Sequence, residues 1–84
     1  MQRDFMRLGK RYIIRKSTIE NAVGMVGECV VEDSMTTWAA MQLISVPNPP
    51  PIGTTNVNGK LVNEPWKIGM IRKMHINDIV EELI

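Results

Sequence analysis

The chain contains one cysteine, one histidine and no long apolar run, and each of these scarcities excludes a class of protein. Cys29 alone cannot form a disulfide within the chain, and a lone thiol suits a reducing compartment. No stretch approaches the roughly 18 apolar residues that a membrane-spanning helix needs. The first residues carry charge but lack the apolar segment of a signal peptide. We therefore expect a single cytoplasmic domain comprising residues 1–84.

The same scarcities argue against metal binding and catalysis. Cys29 and His75 are too few ligands for a structural zinc site, which takes four. The adjacent acids, 32–33 and 81–82, point in different directions on either a strand or a helix, so neither pair forms an acid/base dyad. No glycine-rich phosphate loop is followed by Lys and Ser or Thr. We expect no catalytic residue, no metal site, no cofactor and no enzyme activity.

Positive charge is missing from the middle of the chain. No lysine or arginine lies between Ser17 and Gly59, whereas this stretch holds several acids. The first sixteen residues hold six basic side chains against one acid, although the net charge of the whole chain is only +1. This distribution predicts a surface with a basic side and an acidic side, which could steer an anionic partner or align copies of the chain.

Short β-prone segments separated by glycine and proline predict a mainly β fold. Residues 10–16 and 23–32 have strand character, and glycines at 24 and 27 in the second segment indicate a bulge or sharp bend. Residues 36–46 are compatible with a helix or a strand, and we favour a strand. The proline-rich residues 47–51 cannot continue either element and predict an exposed connector.

The C-terminal half contains the clearest local signal, an Asn58–Gly59 pair between β-prone residues, which predicts a hairpin with a type I′ turn. Residues 66–74 predict a further strand. Residues 76–84 predict a short helix capped by Asn77, with Ile79, Val80 and Leu83 on its apolar side. The predicted organisation is thus an N-terminal arm at 1–8, held by Phe5 and Leu8, then a β region at 9–74 and the helix.

Residues 9–32 resemble the KOW-type strand–loop–strand unit of small barrels of the Src-homology-three kind. Gly9 opens the first strand, and Gly27 begins a second strand with Cys29 and Val31 pointing inward. The Glu20–Asn21 pair, which precedes Gly24, resembles a Glu–Asn pair at the same place in small uncharacterised bacterial and phage proteins. The resemblance implies a small Src-homology-three-like barrel, or a curled antiparallel sheet of four to five strands, in a phage or bacterial accessory protein.

Function is predicted from the charges and the few aromatic residues. The leading hypothesis is a non-enzymatic module that docks a protein partner, and the opposite charges would also allow copies of the chain to join as a homo-oligomer. The alternative is binding of nucleic acid or a nucleotide anion through the basic N-terminal strand, including service as a sponge for a small anionic signal. The candidate binding residues are Arg7, Lys10, Arg11, Tyr12, Arg15, Lys16, Trp66, Arg72 and Lys73.

Overall fold

A computed structural model describes residues 6–34, 38–74 and 77–84, apart from the side chain of Thr55. Within these ranges the chain is mainly β and contains no helix. This confirms the prediction of a mainly β fold. It also follows that no helix in the described ranges has the length and apolarity needed to cross a membrane.

Seven strands form two separate antiparallel sheets within the described residues. The first sheet has five strands in the order β6-β3-β2-β1-β7, and the second is a two-stranded hairpin of β4 and β5. The chain from β1 to β3 is a simple meander, and β6 and β7 add one strand to each edge of it. The strands are β1 (Arg11–Lys16), β2 (Val26–Val31), β3 (Ala40–Ser45), β4 (Ile52–Val57), β5 (Lys60–Pro65), β6 (Ile71–Lys73) and β7 (Ile79–Leu83).

One face of the five-stranded sheet carries the hydrophobic core. Strand alternation places Tyr12 and Ile14 of β1 and Met41 and Leu43 of β3 on this face, where all four are buried. Met25 and other loop residues cover them. Methionine adapts its shape to irregular gaps, which suits a core closed by loops from several directions. Four methionines are fully buried there: Met6, Met25, Met41 and Met74.

The described strands form an open antiparallel sheet of five strands, so the predicted alternative of a four- to five-stranded antiparallel sheet is confirmed and the closed barrel is wrong. Closure would require the two edge strands, β6 and β7, to pair with each other. Instead β6 pairs only with β3, over three residues, and β7 pairs only with β1. Two register shifts interrupt the β2–β3 ladder, one between Val26 and Gly27 and one between Cys29 and Val31, and the first lies at a glycine for which a bulge or bend was predicted. The pairing of residues 11–13 with 26–28 matches the predicted strand–loop–strand unit, while the resemblance to a family stays a prediction.

The predicted C-terminal helix is also wrong, because Ile79–Leu83 is strand β7. Ile14 lies opposite Val80, whose side chain is buried in the core. The apolar residues 79, 80 and 83 fit a helix by spacing alone, but acids near the C-terminal end oppose the helix dipole. Pairing with β1 supplies backbone hydrogen bonds that a free helix end lacks, so tertiary contacts decide the structure.

Two other strand predictions were partly wrong. Residues 66–74 form only the short strand β6, because Gly69 takes a positive φ of 93° in a turn that precedes it. Val31 does not point inward: it is 42% exposed beyond a register shift that separates it from the buried Cys29. For the segment 36–46, the strand is confirmed over Ala40–Ser45, whereas residues 35–37 lie outside the described ranges.

The Asn–Gly hairpin prediction is confirmed in detail. Asn58 and Gly59 have φ values of 52° and 81°, as a type I′ turn requires at both central positions. Val57 lies opposite Lys60 across the turn, and the register continues without a shift to the pair of Ile52 and Pro65. Asn56 strengthens the turn because its Oδ1 accepts a hydrogen bond from the Gly59 amide at 3.0 Å.

The N-terminal segment is fastened by acids of the loop after β2. The backbone amides of Met6 and Ala39 donate to the two carboxylate oxygens of Asp33 at 3.0 and 3.2 Å. The Leu8 amide donates to Glu32 Oε2 at 3.2 Å. Met6 is fully buried while Leu8 is 55% exposed, so the described part of the arm is held by Met6 rather than by the predicted Leu8. Phe5 lies outside the described residues.

Replacing Asp33 with alanine is expected to lower the free energy of unfolding by about 2–3 kcal/mol, because two partly buried amides lose a charged acceptor. Urea unfolding followed by circular dichroism would measure the change. Asp33→Asn keeps one acceptor oxygen and should fall between alanine and the wild type. An alanine variant as stable as the wild type would show that these amides are satisfied equally well by water.

Candidate functional site

The face of the five-stranded sheet opposite the core is a surface to which all five strands contribute. On β1 this outer face bears Arg11, Ile13 and Arg15, which alternate with the buried Tyr12 and Ile14. The pairing registers align one residue from each strand into a row across the sheet. This central row consists of Ile71, Gln42, Glu28, Arg11 and Leu83. Its centre is an acid–base pair and its two ends are aliphatic.

Acids pair with both arginines on the outer face of β1, so the predicted separation of charge is wrong for this face. Arg11 Nε lies 3.8 Å from a carboxylate oxygen of Glu28, and Arg15 Nε donates to Glu81 Oε2 at 2.7 Å. The acids come from β2 and β7, the two neighbours of β1 in the sheet. Both pairs are solvent-exposed and contribute no more than about 1 kcal/mol each to stability. Their main consequence is that β1 does not present an unbroken row of cations.

A groove crosses this face beside the central row. Its walls are the middle strands and the turn before β6, whose Gly69 amide donates to the Leu43 carbonyl at 2.8 Å. The Gln42 side-chain amide donates to the Gly69 carbonyl at 3.2 Å and ties this turn to the sheet. The groove has a volume of about 250 Å³ and is open to solvent. Its lining includes the side chains of Arg11, Glu28, Gln42, Ile44 and Ile68.

Exposed aliphatic side chains distinguish the groove from an ordinary solvated surface. Ile68 at its rim is 70% exposed, and Ile71 at the near end of the central row is 60% exposed. Leu83, at the far end of the row, is 41% exposed. Single exposed aliphatic residues need no explanation, but three on the same side of the sheet, one of them lining the groove, mark a candidate contact surface.

The structure separates the nine candidate binding residues into distinct groups. Tyr12 is 1% exposed, and its hydroxyl oxygen accepts the Arg7 amide at 2.9 Å, so its ring is not available for stacking. Trp66 is 7% exposed, with the Arg72 guanidinium 4.9 Å from its ring centroid. Only Arg11 lines the groove. Among these nine candidates, the exposed cations that form no ion pair with the described residues are Arg7, Lys10, Lys16 and Lys73.

Sequence reasoning missed the groove residues Glu28, Gln42, Ile44 and Ile68. A signal for two of them was present, because the period of two in residues 40–45 places Gln42 and Ile44 opposite the apolar Met41 and Leu43. No sequence signal brings Ile68 to this face, because its position depends on the turn at Gly69 and on hydrogen bonds to β3. The sequence placed Glu28 only in the acidic middle stretch of the chain and did not indicate that it would lie beside Arg11 on a binding surface.

Within the described ranges, no three His, Cys, Asp or Glu side chains converge in a way that could hold a metal ion. Cys29 is buried, and its thiol donates a hydrogen bond to the Val31 carbonyl oxygen, with 3.2 Å between sulfur and oxygen. His75 lies outside the described residues. The expectations of no cofactor and no enzyme activity therefore remain predictions.

Comparison of the chain with family models, with curated proteins and with solved structures gave no match. The function must accordingly be argued from the surface itself.

Proposed function

We propose that this protein is a non-enzymatic module that docks a protein partner on the outer face of its five-stranded sheet. The contact surface is the groove together with the aliphatic ends of the central row. The observation that carries the proposal is the exposure of Ile68, which lines the groove together with the Arg11–Glu28 pair, and of Ile71 at the near end of the central row. An apolar rim beside paired charges suits a protein surface that offers aliphatic side chains and charges of both signs.

Burial of the rim supplies affinity, and the charges supply orientation. Each aliphatic side chain that a partner removes from water contributes about 1.5–3 kcal/mol when it is fully buried. The Arg11–Glu28 pair is loose at 3.8 Å and its side chains are 61% and 44% exposed, so both can also bond to a partner. Charged groups of this kind select and orient partners more than they tighten binding.

Binding of nucleic acid or a nucleotide anion receives less support from the geometry. Such binding uses several cations along the phosphates and exposed rings for stacking. Two of the candidate arginines are paired with acids, and both candidate aromatic residues, Tyr12 and Trp66, are buried. The groove, at about 250 Å³, is also smaller than the roughly 300–1,000 Å³ typical of small-molecule pockets. We retain this function as the alternative that the experiment below must separate.

Replacing Ile68 with aspartate should reduce partner capture at least tenfold, because it places a charge on the apolar rim and removes a buried contact of about 1.5–3 kcal/mol. The fold should tolerate the change, since this side chain is already 70% exposed. Tagged wild type and variant would be used to capture proteins from a host-cell extract, with quantification by mass spectrometry. The matched control is Val23→Asp, at a 55% exposed position in the loop before β2.

The proposal requires a set of proteins that is lost with Ile68→Asp and retained with Val23→Asp. Equal capture by all three proteins would reject the groove as the docking site. A parallel titration with mixed-sequence oligonucleotides at low salt tests the alternative. Oligonucleotide binding that survives Ile68→Asp and disappears after charge reversal at Lys10 and Lys16 would replace the proposed function with the alternative.

A further inference from the structure

The β4–β5 hairpin extends from the body of the protein without a partner. Its two strands contact each other and no other strand of the described chain. Almost all of its described side chains are exposed on both faces, including Leu61 at 76% and Ile52 at 64%. An isolated two-stranded hairpin is marginally stable, and each of its open edges is a template for another strand. The hairpin is therefore a candidate surface for pairing with another β-strand.

The edge of β5 presents a defined set of hydrogen-bonding groups. In an antiparallel pair, residues that bond to the neighbouring strand alternate with residues whose amide and carbonyl point away. The two-residue turn makes Val57 and Lys60 a bonded pair, so residues 60, 62 and 64 bond to β4. Leu61 and Asn63 therefore direct their backbone groups to the open edge, and Pro65 ends it because it has no amide hydrogen.

We infer that β5 pairs antiparallel with the β5 of a second copy, about a twofold axis at Val62. In this register Leu61 lies opposite Asn63 of the second copy, and each such pair exchanges two backbone hydrogen bonds. The two hairpins then form one four-stranded sheet. A twofold contact of this kind uses the same surface on both copies and closes after two, so it yields a dimer rather than a fibre.

Charge complementarity fixes this register among the possible ones. With the axis at Val62, Lys60 of each copy lies directly opposite Glu64 of the other, which gives two opposite-charge pairs. A twofold axis at Leu61 or at Asn63 would also align the open backbone groups, but it would set the two charges against neutral residues. Opposite charges across strands stabilise pairing, and like charges destabilise it.

The exposed apolar side chains of the hairpin gain neighbours in the same register. Val62, 38% exposed, meets its own copy at the axis. Leu61, 76% exposed, becomes the diagonal neighbour of the second Leu61, within reach of a long side chain. Edge pairing of two small hairpins covers less than the roughly 800 Å² per partner of a stable interface, so the dimer should dissociate in the micromolar range or above.

The inference does not depend on the groove, which lies on a different part of the chain. Its test uses charge swaps at the two ends of the pairing segment. In a dimer of Lys60→Glu, a glutamate lies opposite a glutamate at both 60–64 contacts. In a dimer of Glu64→Lys, a lysine lies opposite a lysine at both contacts. Mixing the two variants restores both opposite-charge pairs in the heterodimer, and so does the double variant Lys60→Glu/Glu64→Lys.

Sedimentation equilibrium at low salt over micromolar to near-millimolar concentration should show a wild-type dimer whose dissociation constant rises about tenfold in either single variant. The mixture and the double variant should return to the wild-type value. Charge-matched controls at exposed positions away from the hairpin strands, Lys67→Glu and Glu20→Lys, should leave dimerisation unchanged, as should Ile68→Asp. A wild type that stays monomeric throughout, or single variants that dimerise as the wild type does, would overturn the inference.

Discussion

Replacing Gly27 with alanine is expected to lower the free energy of unfolding by about 2–3 kcal/mol, at the upper end of the cost of overpacking a core. A methyl group at this position would lie 2.6 Å from Met41 Sδ, 2.7 Å from Met41 Cγ and 2.9 Å from the Gln42 carbonyl oxygen. The methionine can rotate away from the methyl group. The carbonyl belongs to the backbone of β3, so its displacement requires the β2–β3 ladder to shift.

The consequence for a domain of this size is large. Small domains are stable by about 5–15 kcal/mol, and each kcal/mol corresponds to roughly 4–8 °C in the melting temperature. Gly27→Ala should therefore melt about 10–20 °C below the wild type in a calorimetric scan. Because Gly27 lies opposite Leu43 at a register shift, a displaced ladder would also move Gln42 and the groove floor. Partner capture should fall together with stability.

A double-mutant cycle with Met41→Ala separates the two causes of the destabilisation by Gly27→Ala, which are the contact with the Met41 side chain and the contact with the Gln42 carbonyl. Met41→Ala alone should cost about 2–5 kcal/mol, because it empties a buried site. In that background Gly27→Ala no longer meets the side chain and should cost clearly less than in the wild type, with the remainder due to the Gln42 carbonyl. Equal costs in both backgrounds would show that Met41 does not define the space at Gly27.

Local conformational chemistry made some parts of this fold predictable. The Asn58–Gly59 turn requires positive φ at two successive positions, and few sequences permit it, so the hairpin could be identified with its register. The alternation of buried and exposed residues in β1 likewise follows from its own side chains. At Asn21 φ is 67°, a left-handed conformation that asparagine tolerates because of its short polar side chain. In each of these cases the determining interaction lies within a few residues.

The remaining parts depend on partners that are distant in sequence. Ile79–Leu83 is a strand because β1 offers it an edge, and nothing within those five residues shows that the edge exists. The predicted charge separation was wrong at β1 for the same reason. Arg11 and Glu28 are 17 positions apart, yet the meander sets them side by side. The groove is built from three strands and a turn, so it could not be recognised before their registers were known.

The hairpin depends on Trp66, and replacing this residue with alanine is expected to cost about 3–5 kcal/mol. The side chain is buried at the base of the hairpin, where its backbone amide donates to the Pro51 carbonyl at 2.9 Å. The indole edge lies against Gly53 so closely that a methyl group at residue 53 would collide with Nε1. On its other side the ring contacts the Arg72 guanidinium. Trp66 therefore joins β4, β5 and β6 at one point.

Two substitutions at Trp66 distinguish packing from polar contacts. Trp66 Nε1 is buried and has no hydrogen-bond partner among the described residues, so the ring contributes through its surface rather than its N–H. Trp66→Phe removes that donor, keeps an aromatic face for Arg72 and should cost less than half as much as alanine. The matched control is Trp38→Ala, since Trp38 is 50% exposed and has less apolar surface to lose.

Urea unfolding gives the three stabilities, and intrinsic fluorescence assigns them, because the chain has only two tryptophans. In Trp38→Ala the remaining emission should come from a buried indole and shift to longer wavelength on unfolding. Amide exchange in β4 and β5 should accelerate in Trp66→Ala more than global destabilisation explains, since the hairpin packs against no other strand. Exchange that rises equally in the hairpin and in the five-stranded sheet would show that the hairpin does not depend on this anchor in particular. Faster exchange confined to the hairpin would instead show that Trp66 anchors the hairpin to the rest of the protein.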